Sequence, residues 1–238
     1  ACVDMVLCDL PYGITANKWD CRIPLDFLWR EYGRILKPRG VIALTACQPF
    51  SSLLVVSNLA NYKHEWIWIK NKGSNFANTV REPMKEHESV LIFAGDRWIY
   101  NKQMQERAPA GQARAKYQVE FNAQDRADYR QFKERPHHTI TGLRVPSSWQ
   151  KFNVERGLHP TQKPVALFEY LIRTYTPNDE SAIILDSCAG SGTTGVAAIR
   201  SKRHFILMEL MEEYAMIANQ RIEDEVKVGR KDGTEWLW

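Results

Sequence analysis

Apolar residues gather along this chain in short runs that alternate with stretches of helical spacing. Val3–Asp9 (VDMVLCD) is an apolar run ending in a turn signal, which predicts a buried strand. In PLDFLWREYGRILKPRG, residues Leu25, Leu28, Tyr32, Ile35 and Leu36 share one helical face. Pro24 suits the first turn of that helix, and Pro38-Arg39-Gly40 stops it. Val41–Ala46 predicts the next buried strand, and Pro49 opens a helix over PFSSLLVVSNLANY. His64–Lys70 and Glu88–Gly95 have strand composition. The polar stretch between them, NKGSNFANTVREPMKEH, is long enough to suggest function. Periodicity fades from Arg97 to about Lys151 and returns at Pro164, which opens a helix with Leu167, Leu171 and Ile172 inward. Ser181–Asp186 then reads as a strand, AGSGTTG as a glycine-rich turn, TTGVAAIRSK as a helix, His204–Glu209 as a strand and MEEYAMIANQRIEDEV as a helix. The tail, with Trp236 and Trp238, carries no assigned pattern.

Strands alternating with helices predict an α/β fold, a parallel sheet covered on both faces. Residues 1–96 and 159–226 read as two halves of one domain, 97–158 as an insertion and 227–238 as a C-terminal tail. Hydrophobic residues make up 44% and charged residues 25% of the 238, which sets disorder aside. No apolar run approaches the roughly 18 residues of a membrane span, and no signal-peptide pattern appears. The five cysteines are scattered without zinc spacing, so reduced thiols in a cytoplasmic protein are expected and no metal site is. His137-His138 lacks a third ligand at a convincing spacing and reads as surface. The net charge of +4 is unevenly placed: Arg97–Lys151 holds eleven Lys/Arg against five Asp/Glu, and the remainder is mildly acidic. A basic insertion of this kind suits the phosphate backbone of a nucleic acid, although a solvated polar excursion has the same composition.

Gly190-Ser191-Gly192-Thr193-Thr194-Gly195 matches G-x-G-x-x-G, directly after a strand and opening a helix. Nineteen residues after Gly190 comes Glu209, at the end of the next strand. Glycines there allow close backbone approach, and the acid is placed to accept from ribose hydroxyls, so a nucleoside pocket is expected. A dinucleotide brings a pyrophosphate, which favours a helix N-terminus. S-adenosylmethionine brings an ammonium, a carboxylate and a sulfonium instead. Asp186, ahead of the turn, opposes a cationic ligand better than a pyrophosphate and tilts the choice toward the methyl donor.

The stretch CDLPYG, Cys8–Gly13, places a carboxylate where a buried strand ends. An exocyclic amine of a nucleobase is a weak nucleophile because its lone pair is delocalised into the ring. A catalyst facing a sulfonium must localise that lone pair and aim it, and two fixed acceptors for the two N–H bonds would do so. Asp9 supplies a carboxylate and Leu10 a carbonyl, held extended because Pro11 follows. Pro11 stiffens the loop, and Tyr12 offers a face on which a flipped base stacks. A strand-ending turn with Tyr12 merely packed is the competing reading.

DLPYG, HPTQKP and DSCAGSGTTG followed by FILMELMEEYAMIA together resemble the amino-methylating DNA methyltransferases of the β arrangement, as found in phages and bacterial restriction systems. GRILKPRGVIAL, WIWIKNKGSNF and EPMKEHESVLIF extend the resemblance to nearly the whole chain. It implies a Rossmann-like S-adenosylmethionine-dependent methyltransferase sheet with a reversed final strand, an inserted target-recognition region in the basic segment, and a base flipped from double-stranded DNA. Asp9, Leu10, Pro11 and Tyr12 take the catalytic positions. Asp186, Gly190, Gly192, Thr193 and Thr194 fall on the cofactor motif, and Glu209 on the ribose-binding acid. Thr161 and Lys163 fall on the motif that helps hold the methionine end, with Lys163 expected at its carboxylate. No membrane partner is implied, and a homodimer is an allowed assembly.

Leu10 replaces the first proline of the usual Pro-Pro pair, which is expected to loosen the loop slightly. Cys188 replaces a common phenylalanine, which removes an aromatic contact near the cofactor. These enzymes usually carry an N-terminal stretch whose loop touches the adenine of the cofactor. The numbering is therefore expected to start inside a longer protein, or the pocket to be incomplete. N6 of adenine is the expected target, since members acting on N4 of cytosine more often carry Ser in place of Asp9. A nicotinamide-dependent oxidoreductase and a catalytically incomplete DNA-binding protein are the rivals of other classes. Trp66 and Trp68 read as core rather than base-stacking residues. Lys70, Lys72, Ser74 and Asn75 read equally as a grip on DNA or as a solvated loop.

Overall fold

The N-terminal apolar run forms strand β1 (Val3–Cys8), with all six residues buried. The computed structural model describes residues 1–13, 20–109 and 142–231, so His137-His138 and the tail from 232 lie outside the described residues. Helix α1 (Leu25–Ile35) buries Leu28 and Tyr32, as the spacing predicts. It ends at Ile35 rather than at Pro38, because Leu36 already pairs with Val3 as the first residue of β2 (Leu36–Ala46). The register slips between Val3 and Met5, which absorbs Pro38-Arg39-Gly40 as an irregularity of the strand instead of a helix stop. Helix α2 (Phe50–Ser57) is shorter than PFSSLLVVSNLANY, and the chain has turned into β3 (Tyr62–Ser74) by Tyr62. β4 is Lys85–Ala94. Both strands run deeper into the polar stretch than composition suggests, since Ser74 still pairs with Lys85. The loop proper is therefore residues 75–84.

Two short strands follow, β5 (Gln105–Glu106) and β6 (Leu143–Arg144), and then β7 (Trp149–Phe152). The remaining elements are α3 (Val165–Tyr175), β8 (Ile183–Asp186), α4 (Thr193–Arg200), β9 (His204–Leu207) and α5 (Glu212–Lys231). One seven-stranded sheet has the order β7-β3-β4-β2-β1-β8-β9. Neighbours are parallel except where β4 runs against both β2 and β3, so the reversed strand lies inside the sheet. Side chains alternate across the sheet. Met5, Leu7, Val41 and Ala43 meet α3 and α4 on one face, while Val6, Cys8, Ile42 and Leu44 meet α1 and α2 on the other. The expected α/β layering with helices on both faces is present. Among the described residues no helix is long and apolar enough to cross a membrane.

The chain divides into two compact units, Ala1–Asn101 with Ser148–Trp238, and Lys102–Ser147. The second unit is narrower than the expected insertion, residues 97–158. The difference at its C-terminal side has a clear cause: Trp149–Phe152 pairs with Ile67–Lys70 of β3 and so belongs to the main sheet. The described residues of the small unit form an antiparallel β5–β6 ladder.

Candidate active site

Parallel strands β1, β2, β8 and β9 all finish at one edge of the sheet, the edge where open α/β sheets bind ligands. Asp9 and Leu10 follow β1, Thr45 is the last residue but one of β2, Ser187–Gly192 follow β8, and Glu209 follows β9. Because β4 runs the other way, its first residues reach this same edge. That reversal brings Glu88, paired in register with Trp68, to the site.

Asp9 is held from three sides. Its Oδ1 accepts from the Tyr12 hydroxyl at 2.7 Å and from the Thr45 hydroxyl, and Lys163 Nζ lies 2.5 Å from its Oδ2. Lys163 is buried and also faces Glu88 Oε2 at 3.5 Å, while Glu88 Oε1 lies 2.5 Å from Lys70 Nζ. The four charges form an alternating chain, Asp9, Lys163, Glu88, Lys70, at the edge of a low-dielectric core. Burial pushes the Lys163 ammonium down, but Asp9 and then Glu88 outweigh it and raise it above its ordinary value. Burial likewise pushes Glu88 up, yet Lys163 and then Lys70 hold its carboxyl below its ordinary value. Lys163 was expected at the carboxylate of a ligand, and here it is bound instead to Asp9. Lys70 is still inside β3 and committed to Glu88, with its ammonium 5.1 Å from the Trp68 ring centroid, so it is not part of a solvated loop.

The loop after Asp9 is tied down at both ends. Leu10 is 3% exposed and packs in the core against the α1–α2 face. Arg22 Nε donates to the Tyr12 carbonyl at 2.9 Å, and Gly13 N–H donates to Asp20 Oδ1 at 2.7 Å. The Tyr12 ring lies 5.2 Å from that of Phe50, with planes inclined by 31°.

At the glycine-rich turn, Gly192 takes φ 78° immediately ahead of α4, and a Cβ there would meet Ala218 Cβ of α5 at 2.8 Å. Glycine at this position serves both the backbone conformation and the close approach of two helices. Asp186 was expected to face a cationic ligand. Its oxygens are taken from within the turn, by the Cys188 N–H at 3.0 Å and by the Thr194 hydroxyl, so it builds the loop. Burial pushes its carboxyl up to about 6. Thr194 and Gly192 act on the same architecture and do not line the cavity, whereas Thr193 does, with its hydroxyl 3.2 Å from the Lys163 carbonyl. Glu209 Oε2 accepts from Gly190 N–H at 2.7 Å and its Oε1 from Met211 N–H at 2.9 Å, which aims the carboxylate into the space over the turn.

A single cavity of about 1050 Å³ is lined by Asp9, Leu10, Pro11 and Tyr12 and also by Asp186, Gly190, Thr193, Glu209, Thr161 and Lys163. The structure thus gathers ten of the sequence-read site residues around one space. Those that sequence reasoning missed are Glu88, Thr45 and the pair His159 and Tyr214, whose rings stand 4.2 Å apart edge to face. His159 precedes Pro160 in the same HPTQKP stretch, so its motif was visible although its role was not. Burial pushes the His159 imidazole down, which keeps it neutral beside Gly190. Trp66 and Trp68 are core residues, with indole N–H groups on the Tyr175 hydroxyl at 2.5 Å and the Phe152 carbonyl at 2.9 Å. Among the described residues no group of three potential metal ligands comes together.

A family model described as DNA methylase, of the N6 and N4 amino-methylating kind, matches residues 3–220. The DNA adenine methyltransferase YhdJ of Escherichia coli (strain K12) is 29% identical over 241 residues, covering 93% of this chain and 76% of that protein. Type II methyltransferase M.HpaI of Haemophilus parainfluenzae is 26% identical over 241 residues, covering 94% and 69%. The solved M1.HpyAVI–SAM complex matches with a TM-score of 0.62 at 25% identity, over 92% of this chain and 88% of that one. The cytosine-N4-specific PvuII DNA methyltransferase shares the fold, with a TM-score of 0.60 at 13% identity over 94% and 84%. A match that runs through both the Asp9 loop and the glycine-rich turn, on a sheet that brings the two to one edge, makes this chain a member of the N6/N4 DNA methylase family.

Proposed function

We propose that this chain transfers a methyl group from S-adenosylmethionine to the exocyclic N6 of an adenine rotated out of double-stranded DNA. The observation that carries the reading is that the Asp9–Tyr12 loop and the Gly190–Glu209 turn line one cavity. Its volume of about 1050 Å³ lies just above the usual range of small-molecule sites, roughly 300–1,000 Å³, which suits a cofactor and a base side by side.

The residues over the turn suit the donor. Glu209 offers a carboxylate to ribose hydroxyls, and Gly190 offers backbone without a side chain. Thr161, at the cavity wall, is available to the methionine end. When bound, S-adenosylmethionine supplies a methyl group on a sulfonium, an electrophile strong enough that the amine need not be deprotonated first.

Asp9 then does the orienting. A carboxylate has about four acceptor positions. Tyr12, Thr45 and Lys163 occupy three of them, which leaves one on Oδ2 for an N–H of the base. The Leu10 carbonyl takes the second N–H. With both hydrogens held, the nitrogen lone pair is localised and directed. The nitrogen gains positive charge as its bond to carbon forms, and Asp9 is the group placed to receive the surplus proton. The Lys163 ammonium, 2.5 Å from Oδ2, holds the carboxylate in place for that role. The Tyr12 ring supplies a face for the flipped base, and the basic segment Arg97–Lys151 supplies target recognition.

Incubation with labelled S-adenosylmethionine and mixed bacterial DNA, followed by digestion to nucleosides and mass spectrometry, tests the reading. N6-methyladenine is expected. N4-methylcytosine would keep the chemistry and change the base, and an unmodified digest would refute the activity.

A further inference from the structure

The β3–β4 hairpin ends in a loop, residues 75–84, whose polar and apolar side chains are arranged in the reverse of the usual order. Asn75 Nδ2 donates to Glu82 Oε1 at 2.5 Å, Asn78 Nδ2 donates to Asn75 Oδ1 at 2.9 Å, and the Thr79 hydroxyl donates to the Phe76 carbonyl at 2.8 Å. Asn75 sits in the left-handed region at φ 69°, and a single 3₁₀ turn, Phe76–Asn78, follows it. The polar groups thus build the loop from within. Its apolar side chains are left outside: Phe76 is 79% exposed and Val80 is 92% exposed.

Single exposed apolar residues are ordinary on a protein surface. Three further observations set these apart. The two stand on one short loop held in shape by its own hydrogen bonds. That loop springs from Ser74 and Lys85, both of which line the cavity that holds Asp9. Exposed Lys72, Lys85 and Arg81 at its root and tip outnumber the exposed acids Glu82 and Glu86, and Glu82 is taken up within the loop by Asn75. An apolar tip on a basic stem beside a base-sized cavity is complementary to a duplex, with phosphates outside and a stack of aromatic rings within.

We propose that Phe76, supported by Val80 of the same loop, enters the duplex at the position the target base has left. Extruding a base breaks its stacking and opens a gap of base size, and an apolar wedge filling that gap offsets part of the cost. The proposal rests on the reading of the protein as a DNA methyltransferase and assigns the 75–84 loop a role in reaching the flipped state.

The test measures methyl transfer to double-stranded and to heat-denatured bacterial DNA by the wild type, Phe76→Ser and Phe76→Leu, each first checked for an unchanged thermal midpoint. Phe76→Ser is expected to slow transfer to duplex DNA by roughly tenfold or more, because the gap goes unfilled. It is expected to stay within about twofold of wild type on denatured DNA, where little stacking must be broken. Phe76→Leu, which keeps an apolar filler, is expected to retain most of the duplex rate. A duplex rate for Phe76→Ser within twofold of wild type would overturn the wedge, and so would an equal loss on both kinds of DNA. If the wild type ignores denatured DNA, the leucine variant decides: retention supports the wedge, and a loss equal to that of serine overturns it. A wild type inactive on all DNA would instead refute the methyltransferase reading beneath it.

Discussion

Lys163 Nζ lies 2.5 Å from Asp9 Oδ2 although the two residues stand 154 positions apart in the chain. One follows the first strand of the sheet, and the other immediately precedes Pro164 at the N-terminus of α3. Their contact joins the two halves of the domain at the wall of the cavity. Lys163 also faces Glu88, so a single buried ammonium holds two carboxylates in place. Removing one member of a buried pair usually costs more than the pair contributed, since the partner stays behind uncompensated.

Lys163→Met is therefore expected to destabilise the fold by about 3–5 kcal/mol, read from urea denaturation at neutral pH. Acidification should narrow the gap. Glu88 has a carboxyl below its ordinary value, so the stability it contributes is present above the unfolded carboxylate range and lost as pH falls through its folded value. In the methionine variant only Lys70 still holds Glu88, so that contribution shrinks, and the two denaturation profiles should converge toward low pH. Parallel profiles would show that the ion chain contributes nothing net.

Asp9→Ala should reduce methyl transfer by about 10²-fold or more, because the proposed role sets the carboxylate where charge develops on the nitrogen. Cofactor affinity, measured by calorimetry, should change little, since Glu209 and Gly190 lie on the other loop. Asp9→Asn is the sharper variant. It preserves shape and one acceptor but loses the charge that pairs with Lys163, so it should fall nearly as far. An active alanine variant would remove Asp9 from the catalytic role.

Glu209→Ala is expected to raise the KM for S-adenosylmethionine with kcat nearly unchanged. A hydrogen bond to a charged group contributes about 1.5–3 kcal/mol, which corresponds to roughly 10–100-fold. Glu209→Gln keeps one acceptor oxygen for the Gly190 or the Met211 N–H and sets an NH2 against the other, so it should lose less than alanine without matching the wild type. A fall in kcat at saturating cofactor, with no change in KM, would place Glu209 elsewhere in the reaction.

Much of this arrangement is legible in the sequence because period and punctuation act locally. The buried runs of β1 and β8, the proline ahead of α3 and the glycine turn ahead of α4 each announce themselves over fewer than ten residues. The helix stop at Pro38 misled, because pairing of Leu36 with Val3 overrides a local breaker once a neighbouring strand is available. Glu88 was invisible for a different reason. Its importance depends on β4 running backward between β2 and β3, a property of topology that no local pattern encodes. The side-chain partners of Asp186 and Lys163 are set by topology in the same way. Composition marks a buried charge as consequential, but only the fold decides whether it faces a ligand, a turn or another side chain.

Asp186 gives the last prediction, and its sign is opposite to that of Glu88. The carboxyl is 2% exposed, and burial pushes it up to about 6. An unfolded aspartate titrates near ~3.9. Between those values the folded chain holds a proton that the unfolded chain has lost. The group therefore stabilises the fold fully below about pH 4, and this contribution disappears as pH rises through about 6. A difference of that size corresponds to about 3 kcal/mol. Asp186→Asn does not titrate and still offers an oxygen to the Cys188 N–H and an amide toward the Thr194 hydroxyl. Relative to wild type, the asparagine variant should gain stability from pH 4 to pH 7, approaching that amount, whatever its offset at a single pH. Urea denaturation of both proteins across this range supplies the measurement. A constant difference would mean that Asp186 stays ionised throughout, and that the hydrogen bonds from Thr194 and Cys188 outweigh its burial.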